Sequence, residues 1–174
     1  MSEDRRPLLR PRVAVPLLVL AVVAGSLIAV HARRAAGQGP FGPLQPAPPP
    51  EHVTPHGGEV VRWAYEGGMD HYQHDRFEDA AALLGRAAAG MRDDPVPTFY
   101  AGVSHLMCGH PDAAVQMLQV AVEMAPGEAM YHYYLARALH EDDQHAAAAA
   151  ELDAAIGGEG RWARRAEQAR ARLP

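Results

Sequence analysis

One pattern recurs three times along the last two thirds of this 174-residue chain, with a period of thirty-four residues. Each copy places small and apolar residues at the same intervals. The first copy has Ala64, Gly68, Phe77, Ala80, Leu84 and Ala87, the second has Thr98, Gly102, Pro111, Ala114, Leu118 and Ala121, and the third has His132, Ala136, His145, Ala148, Leu152 and Ala155. Such a period indicates stacked repeats, because one short repeat cannot bury its apolar face alone.

The residue types at these positions predict pairs of helices. Small residues such as Gly68 and Ala80 let two helices approach closely, and the leucine at position 84, 118 or 152 then fills the space between repeats. The segments Asp93-Asp94-Pro95 and Pro126-Gly127 interrupt the helical pattern and predict the turns between repeats.

The second copy carries the pattern in full, with Gly102, Gly109, Ala114, Leu118, Ala121 and Pro126. This pattern resembles the tetratricopeptide repeat family over about 110 residues of the chain. The third copy departs from it by having Gly160 in place of the proline, and the first runs on to Pro95. The resemblance implies an all-α fold, a right-handed superhelical array of three helix pairs over residues 59–160. Residues 161–174 should form a capping helix, with Trp162, Ala166, Ala169 and Leu173 on its apolar stripe.

The resemblance also implies a concave groove lined by the first helix of each repeat. The corresponding positions are Arg62, Tyr65, Met69, Tyr72 and Gln73, then Val96, Phe99, Val103, Leu106 and Met107, then Met130, Tyr133, Arg137, His140 and Glu141. Aromatic and methionine side chains provide adaptable apolar contact area. We expect a protein partner with an apolar or amphipathic segment, bound as a helix or an extended strand. Alternatively, these side chains pack against each other or against the proline-rich segment that precedes the repeats.

Family arrays that clamp the carboxylate tail of a chaperone use Lys and Asn in the groove. This chain contains neither residue type, so the sequence argues against that subtype.

Residues 13–30 form an uncharged apolar run of eighteen residues, which as a helix would be roughly 27 Å long. We predict one transmembrane helix over residues 13–32. Four arginines before it and two after it favour a cytoplasmic tail at residues 1–12, with the repeats outside the cytoplasm at the inner membrane. A cleaved signal peptide, giving a secreted or periplasmic protein, is the alternative.

Residues 33–58 are rich in proline and glycine and predict a linker, fully solvated and partly in polyproline-II conformation. On this view the linker is a spacer between membrane and repeats.

Residues 1–50 carry six arginines against two acids, and residues 51–174 carry ten against nineteen. An acidic repeat domain argues against nucleic-acid binding.

No phosphate-binding loop, Cys-x-x-Cys or His-Glu-x-x-His motif is present, so the sequence predicts neither an enzyme nor a small-molecule substrate or cofactor. The ten histidines leave one alternative open, a periplasmic metal- or haem-handling factor. His71 and His74 have a spacing that can chelate a metal, but no third ligand accompanies them, and no metal site is predicted.

The Ala- and Arg-rich, Lys-free composition is typical of a GC-rich bacterium. The sequence therefore favours a membrane-anchored scaffold for assembling or regulating a bacterial envelope complex.

Overall fold

A computed structural model describes residues 39–51 and 55–173 of the chain. Within these ranges all regular secondary structure is helical: α1 (Glu59–Gln73), α2 (Phe77–Gly90), α3 (Pro95–Met107), α4 (Pro111–Met124), α5 (Ala129–Glu141), α6 (His145–Ile156) and α7 (Gly160–Arg170). The predicted tail at 1–12 and the predicted membrane span at 13–32 lie outside the described residues. No helix within the described ranges is both long and apolar enough to cross a membrane.

Consecutive helices pack in pairs, α1 on α2, α3 on α4 and α5 on α6, and each pair contacts the next. The first helices of the second and third pairs, α3 and α5, also contact each other. Helix α7 packs on both α6 and α5 and closes the array. The predicted all-α architecture of three helix pairs followed by one more helix is confirmed for the described part of the chain.

The recurring small residues have the predicted role at the contacts inside each pair. A Cβ atom added at Gly68 would come within 2.7 Å of Leu84 Cγ, and one at Gly102 within 2.8 Å of Leu118 Cγ. Both leucines are fully buried, as are Ala136 and Leu152 of the third pair. A side chain larger than glycine at positions 68 and 102 would force the helices apart or move the leucine.

The turn between the two helices of each repeat has the same backbone conformation at the same repeat position in all three repeats. Asp75, Gly109 and Asp143 are spaced by thirty-four residues and have φ values of 58°, 79° and 60°. This left-handed conformation suits glycine and is tolerated by aspartate better than by most residues. The three repeats therefore share the turn geometry although the residue type differs.

Helix α7 shields the end of the core from water. Ala163, Ala166 and Ala169 are buried on α6 and α5, in line with the apolar stripe expected for a capping helix. The Trp162 ring lies 5.3 Å from the Tyr133 ring and 5.4 Å from the Tyr134 ring. The guanidinium groups of two arginines, at positions 161 and 165, also lie over the Trp162 ring. The indole therefore stands at the boundary between the core and the charged surface of α7.

The expectation of a fully solvated linker is wrong for residues 39–51. These residues, hereafter the docked segment, pack against the array, and Ala47 is only 2% exposed. Phe41 and Leu44 are also packed against the core. Proline has little backbone freedom to lose on ordering, so a proline-rich segment is ordered by fewer contacts than a flexible one would need.

Candidate functional site

The candidate site is the surface formed by α1, α3 and α5, with α7 at one end, on which the docked segment lies. The side chains that bond to the segment come from all four of these helices. The segment runs from the third repeat, where Gly42 and Pro43 are bound, towards the first repeat, where Ala47 is bound. The next carbonyl, that of Pro48, is bound by Tyr100 of the second repeat, so the segment contacts all three repeats.

Five hydrogen bonds from the array are accepted by backbone carbonyl oxygens of the segment. The Tyr72 hydroxyl donates to Ala47 O at 3.0 Å and the Tyr134 hydroxyl to Gln45 O at 3.2 Å. The Tyr100 hydroxyl donates to the carbonyl of Pro48. Arg137 provides the remaining two, from Nη1 to Pro43 O at 3.2 Å and from Nη2 to Gly42 O at 3.0 Å.

The bound carbonyls have a regular spacing. Gly42, Gln45 and Pro48 are three residues apart, and three residues complete one turn of a polyproline-II helix. The carbonyls on one face of the extended segment thus accept hydrogen bonds from Arg137, Tyr134 and Tyr100 of the array. The carbonyls of Pro43 and Ala47 lie next to this register and take the two additional bonds.

Phe41 anchors the start of the segment. Its ring lies 5.6 Å from the Tyr133 ring, edge to face, and 5.5 Å from the His140 ring. The Arg137 guanidinium carbon is 5.8 Å from the Phe41 ring centroid, within reach of a cation–π interaction. Gly42 follows with φ of 71°, which glycine adopts without strain. The turn at Gly42 directs the rest of the segment along the groove.

Small and rigid residues fill the middle of the segment. Ala47 is part of the hydrophobic core, whereas Pro49 on the same stretch is exposed. A cavity of about 270 Å³ lies beside the prolines that follow, between Pro48 and Pro50 on one side and Met130 and Trp162 on the other. The groove is thus closed around Ala47 and open beside Pro50.

Burial changes the chemistry of the donors. Desolvation raises the pKa of Tyr72, Tyr100 and Tyr134 far above the usual range, so these hydroxyls stay protonated and able to donate. Burial also lowers the pKa of the Arg137 guanidinium, which is 4% exposed. Carbonyl oxygens and the Phe41 ring surround this cation, and both interactions reduce the cost of burying it.

The groove residues expected from the sequence fall into three groups. Tyr72, Tyr133, Arg137 and His140 contact the docked segment, and Val96 and Met130 line the cavity beside it. Tyr65, Met69, Phe99, Val103 and Leu106 lie in the hydrophobic core, with Met107 packed at its edge. Arg62 is exposed. The residues of the first group therefore pack against the proline-rich segment, as the alternative interpretation of the sequence expected.

Three residues that bind the segment were not expected. Tyr100 and Tyr134 occupy the same repeat position, one residue after the expected Phe99 and Tyr133, and Arg165 Nη2 of α7 lies 3.5 Å from Gln45 Oε1. The recurrence of tyrosine at a thirty-four-residue interval was the available signal for the first two. Arg165 lies outside the repeats and had no such signal.

The two histidines with a metal-chelating spacing have other neighbours. His71 Nδ1 accepts a hydrogen bond of 2.8 Å from Arg76 Nε, and His74 Nδ1 lies 2.8 Å from the carbonyl oxygen of Asp70. Within residues 39–51 and 55–173, no three His, Cys, Asp or Glu side chains are grouped so that they could hold a metal ion.

The sequence matches no protein-family model and no curated protein. Several solved structures are nevertheless similar. A point mutant of MamA is 23% identical, with a TM-score of 0.56 over 59% of this chain and 76% of that one. The Yersinia enterocolitica type III secretion chaperone SycD, in complex with a peptide of the translocator YopD, has a TM-score of 0.61 at 16% identity, covering 67% of this chain and 93% of that one.

A complex of the TPR2B domain of yeast Sti1 with pHsp70 also has a TM-score of 0.61 at 16% identity, over 67% of this chain and 97% of that one. These similarities show that the described helices have the tetratricopeptide repeat fold.

Proposed function

We propose that this protein is a membrane-anchored adaptor that binds a segment of a partner protein in its concave groove and so assembles or regulates a bacterial envelope complex. The observation that carries the proposal is that the groove holds an extended polypeptide through five hydrogen bonds to its backbone. SycD with a YopD peptide and the Sti1 domain with pHsp70 are precedents for peptide binding by this fold.

The anchor in this proposal is the predicted transmembrane helix at residues 13–32, with the N-terminus inside and the repeats outside the cytoplasm. The support is the length of the run and the excess of arginine before it. The protein should stay in the membrane pellet after an alkaline carbonate wash, and added protease should degrade its repeats in spheroplasts but not in intact cells. A soluble product beginning near residue 33 would show signal cleavage instead.

Partner binding in the groove can be tested by site-specific photocrosslinking in cells. A photoreactive amino acid at Met130, half-buried beside the groove cavity, should form a crosslink to a defined second protein. The matched control is the same amino acid at Val120, which is 45% exposed on α4, a helix with no hydrogen bond to the docked segment.

The decisive comparison adds Tyr100→Phe and Tyr134→Phe to the Met130 probe. These changes keep the rings and remove two hydroxyl donors that also hold the docked segment, so the crosslink yield should change. A crosslink of equal yield at Met130 and Val120, unaffected by the two substitutions, would contradict binding in the groove.

A further inference from the structure

The groove and the docked segment together define the chemistry of a ligand. We infer that the groove binds extended, proline-containing segments that are uncharged over the length matching residues 39–50, and that residues 39–51 are its built-in occupant, which such a segment of a partner protein must replace. This inference rests on the proposed function of the groove and adds to it the class of ligand and the competition within the chain.

The first argument is that the array binds the backbone. All five bonds described above end on carbonyl oxygens, and three of the carbonyls follow the three-residue period of polyproline II. A helical ligand would direct most of its carbonyls into its own hydrogen bonds, leaving the buried Tyr100 and Tyr134 hydroxyls without acceptors. An extended ligand satisfies these donors.

The second argument is that proline suits a groove lined by tyrosine rings and hydrogen-bond donors. The docked segment contains six prolines among thirteen residues. Proline has no backbone N–H, so an extended chain rich in proline leaves few donors in need of partners when it lies on a surface of tyrosine rings and donors. Its fixed φ also reduces the entropy lost on binding.

The third argument concerns charge and size. The segment has no charged residue between Gly39 and Pro50, and the side chains that bind it are hydroxyls and guanidinium groups. Ala47 is buried to 2% exposure, so the ligand must have a small residue there. Phe41 sets a second requirement, an aromatic anchor six residues earlier that fits against Tyr133 and His140.

Connectivity makes the built-in occupant an effective competitor. Seven residues, 52–58, separate the docked segment from the start of α1. A short tether gives an effective concentration on the order of millimolar. If the isolated segment binds with a dissociation constant of about 100 µM, the apparent affinity for an outside segment falls about tenfold.

The test uses the full-length chain in detergent micelles and a fluorescently labelled peptide with the sequence of residues 39–51. Binding is measured by fluorescence anisotropy. In an opened variant, residues 39–51 are replaced by thirteen Gly and Ser residues, which lack the Phe41 ring and the prolines that favour the extended conformation. The opened variant should bind the peptide at least about tenfold more tightly than the wild type.

Two further changes test the assigned contacts. A peptide with Ala47→Trp should bind the opened variant at least about tenfold more weakly, because the site around Ala47 is closed and a large side chain would overpack it. Tyr100→Phe with Tyr134→Phe in the opened variant should also weaken binding. Tyr65→Phe is the matched control, since Tyr65 is buried in the hydrophobic core and its hydroxyl is not among the donors to the docked segment.

A labelled amphipathic helical peptide separates this inference from the proposed function. If the opened variant binds that helix and not the 39–51 peptide, the ligand class is wrong while partner binding in the groove stands. Equal affinity of wild type and opened variant for the 39–51 peptide overturns the built-in competition. No binding of either peptide overturns the inference, and the photocrosslinking experiment then decides the proposed function separately.

Discussion

At the scale of single residues, glycine stabilises the fold at one position of this chain and destabilises it at another. Gly109 has φ of 79°, and a Cβ atom there would meet nothing within 4 Å, so its role is conformational. Gly85 lies inside α2, and a methyl group added there would likewise meet nothing within 4 Å. The same substitution to alanine therefore tests backbone conformation at the two sites without steric clash.

We predict that Gly109→Ala lowers the free energy of unfolding by about 1 kcal/mol, because alanine is strained in the left-handed region. Gly85→Ala should raise it by about 0.5–1 kcal/mol, because glycine is a poor helix former. Gly109→Asp should cost less than Gly109→Ala, since aspartate occupies this turn position at 75 and 143. Urea unfolding followed by circular dichroism measures all three. Loss of stability in Gly85→Ala as large as in Gly109→Ala would contradict this account.

The turn position shows what sequence reasoning identified and what it missed at this scale. The family resemblance places a glycine at 109, and the spacing then points to 75 and 143. Aspartate at those positions is compatible with the same backbone conformation but does not require it, so the sequence did not predict it. The φ values of 58° and 60° show that the surrounding helices impose it on aspartate.

At the scale of elements, α7 determines whether the end of the array is closed. Ala166 and Ala169 are almost completely buried against the third repeat, whereas Arg164 on the same helix is exposed. Alanine at the buried positions permits the close approach, and a charge there would be desolvated without a partner.

Ala166→Glu should accordingly destabilise the protein by at least about 2 kcal/mol. Arg164→Glu introduces the same side chain on the exposed face and should change stability by less than about 0.5 kcal/mol. Thermal unfolding of the two variants gives the comparison. Similar midpoints for both would mean that α7 does not pack on the array as described.

The docked segment is the element that its own composition described wrongly, although packing of groove residues against it was the alternative interpretation of the sequence. Its composition predicted a solvated spacer, and composition reports average properties of a segment. The segment is held instead by particular pairs, such as Phe41 with Tyr133 and Tyr134 with Gln45 O. Neither pair has a signature in the local sequence.

At the scale of the whole molecule, buried tyrosines couple folding to alkaline pH. Burial raises the pKa of Tyr65 to about 12 and also raises the pKa values of Tyr72, Tyr100, Tyr131 and Tyr134 well beyond their ordinary value. Their folded-state values exceed the unfolded value of 10, so the stabilisation is fully present below pH 10. Above pH 10 the unfolded chain loses protons that the folded protein keeps, and stability falls as pH rises.

Above about pH 10, the free energy of unfolding should fall with rising pH. Each buried tyrosine should contribute up to about 1.4 kcal/mol per pH unit to this fall. Absorbance at about 295 nm, where ionised tyrosine absorbs, should therefore rise together with the loss of helical circular dichroism. The Tyr100→Phe variant should show a shallower loss of stability. Ionisation of all tyrosines near their ordinary pKa of about 10, with the helical signal intact, would contradict their burial.

The sequence by itself determined the repeat, the pairing of helices and the closing helix. It could do so because each depends on residues at a fixed, short spacing, such as Gly68 with Leu84 and Gly102 with Leu118. Only the tertiary structure decided that the groove is occupied by residues 39–51. The bonds that decide it join residues as far apart as 94 and 95 positions, from Arg137 to Pro43 and Gly42. They also end on backbone carbonyls, which every residue type carries, so the accepting positions of the segment have no side-chain signature.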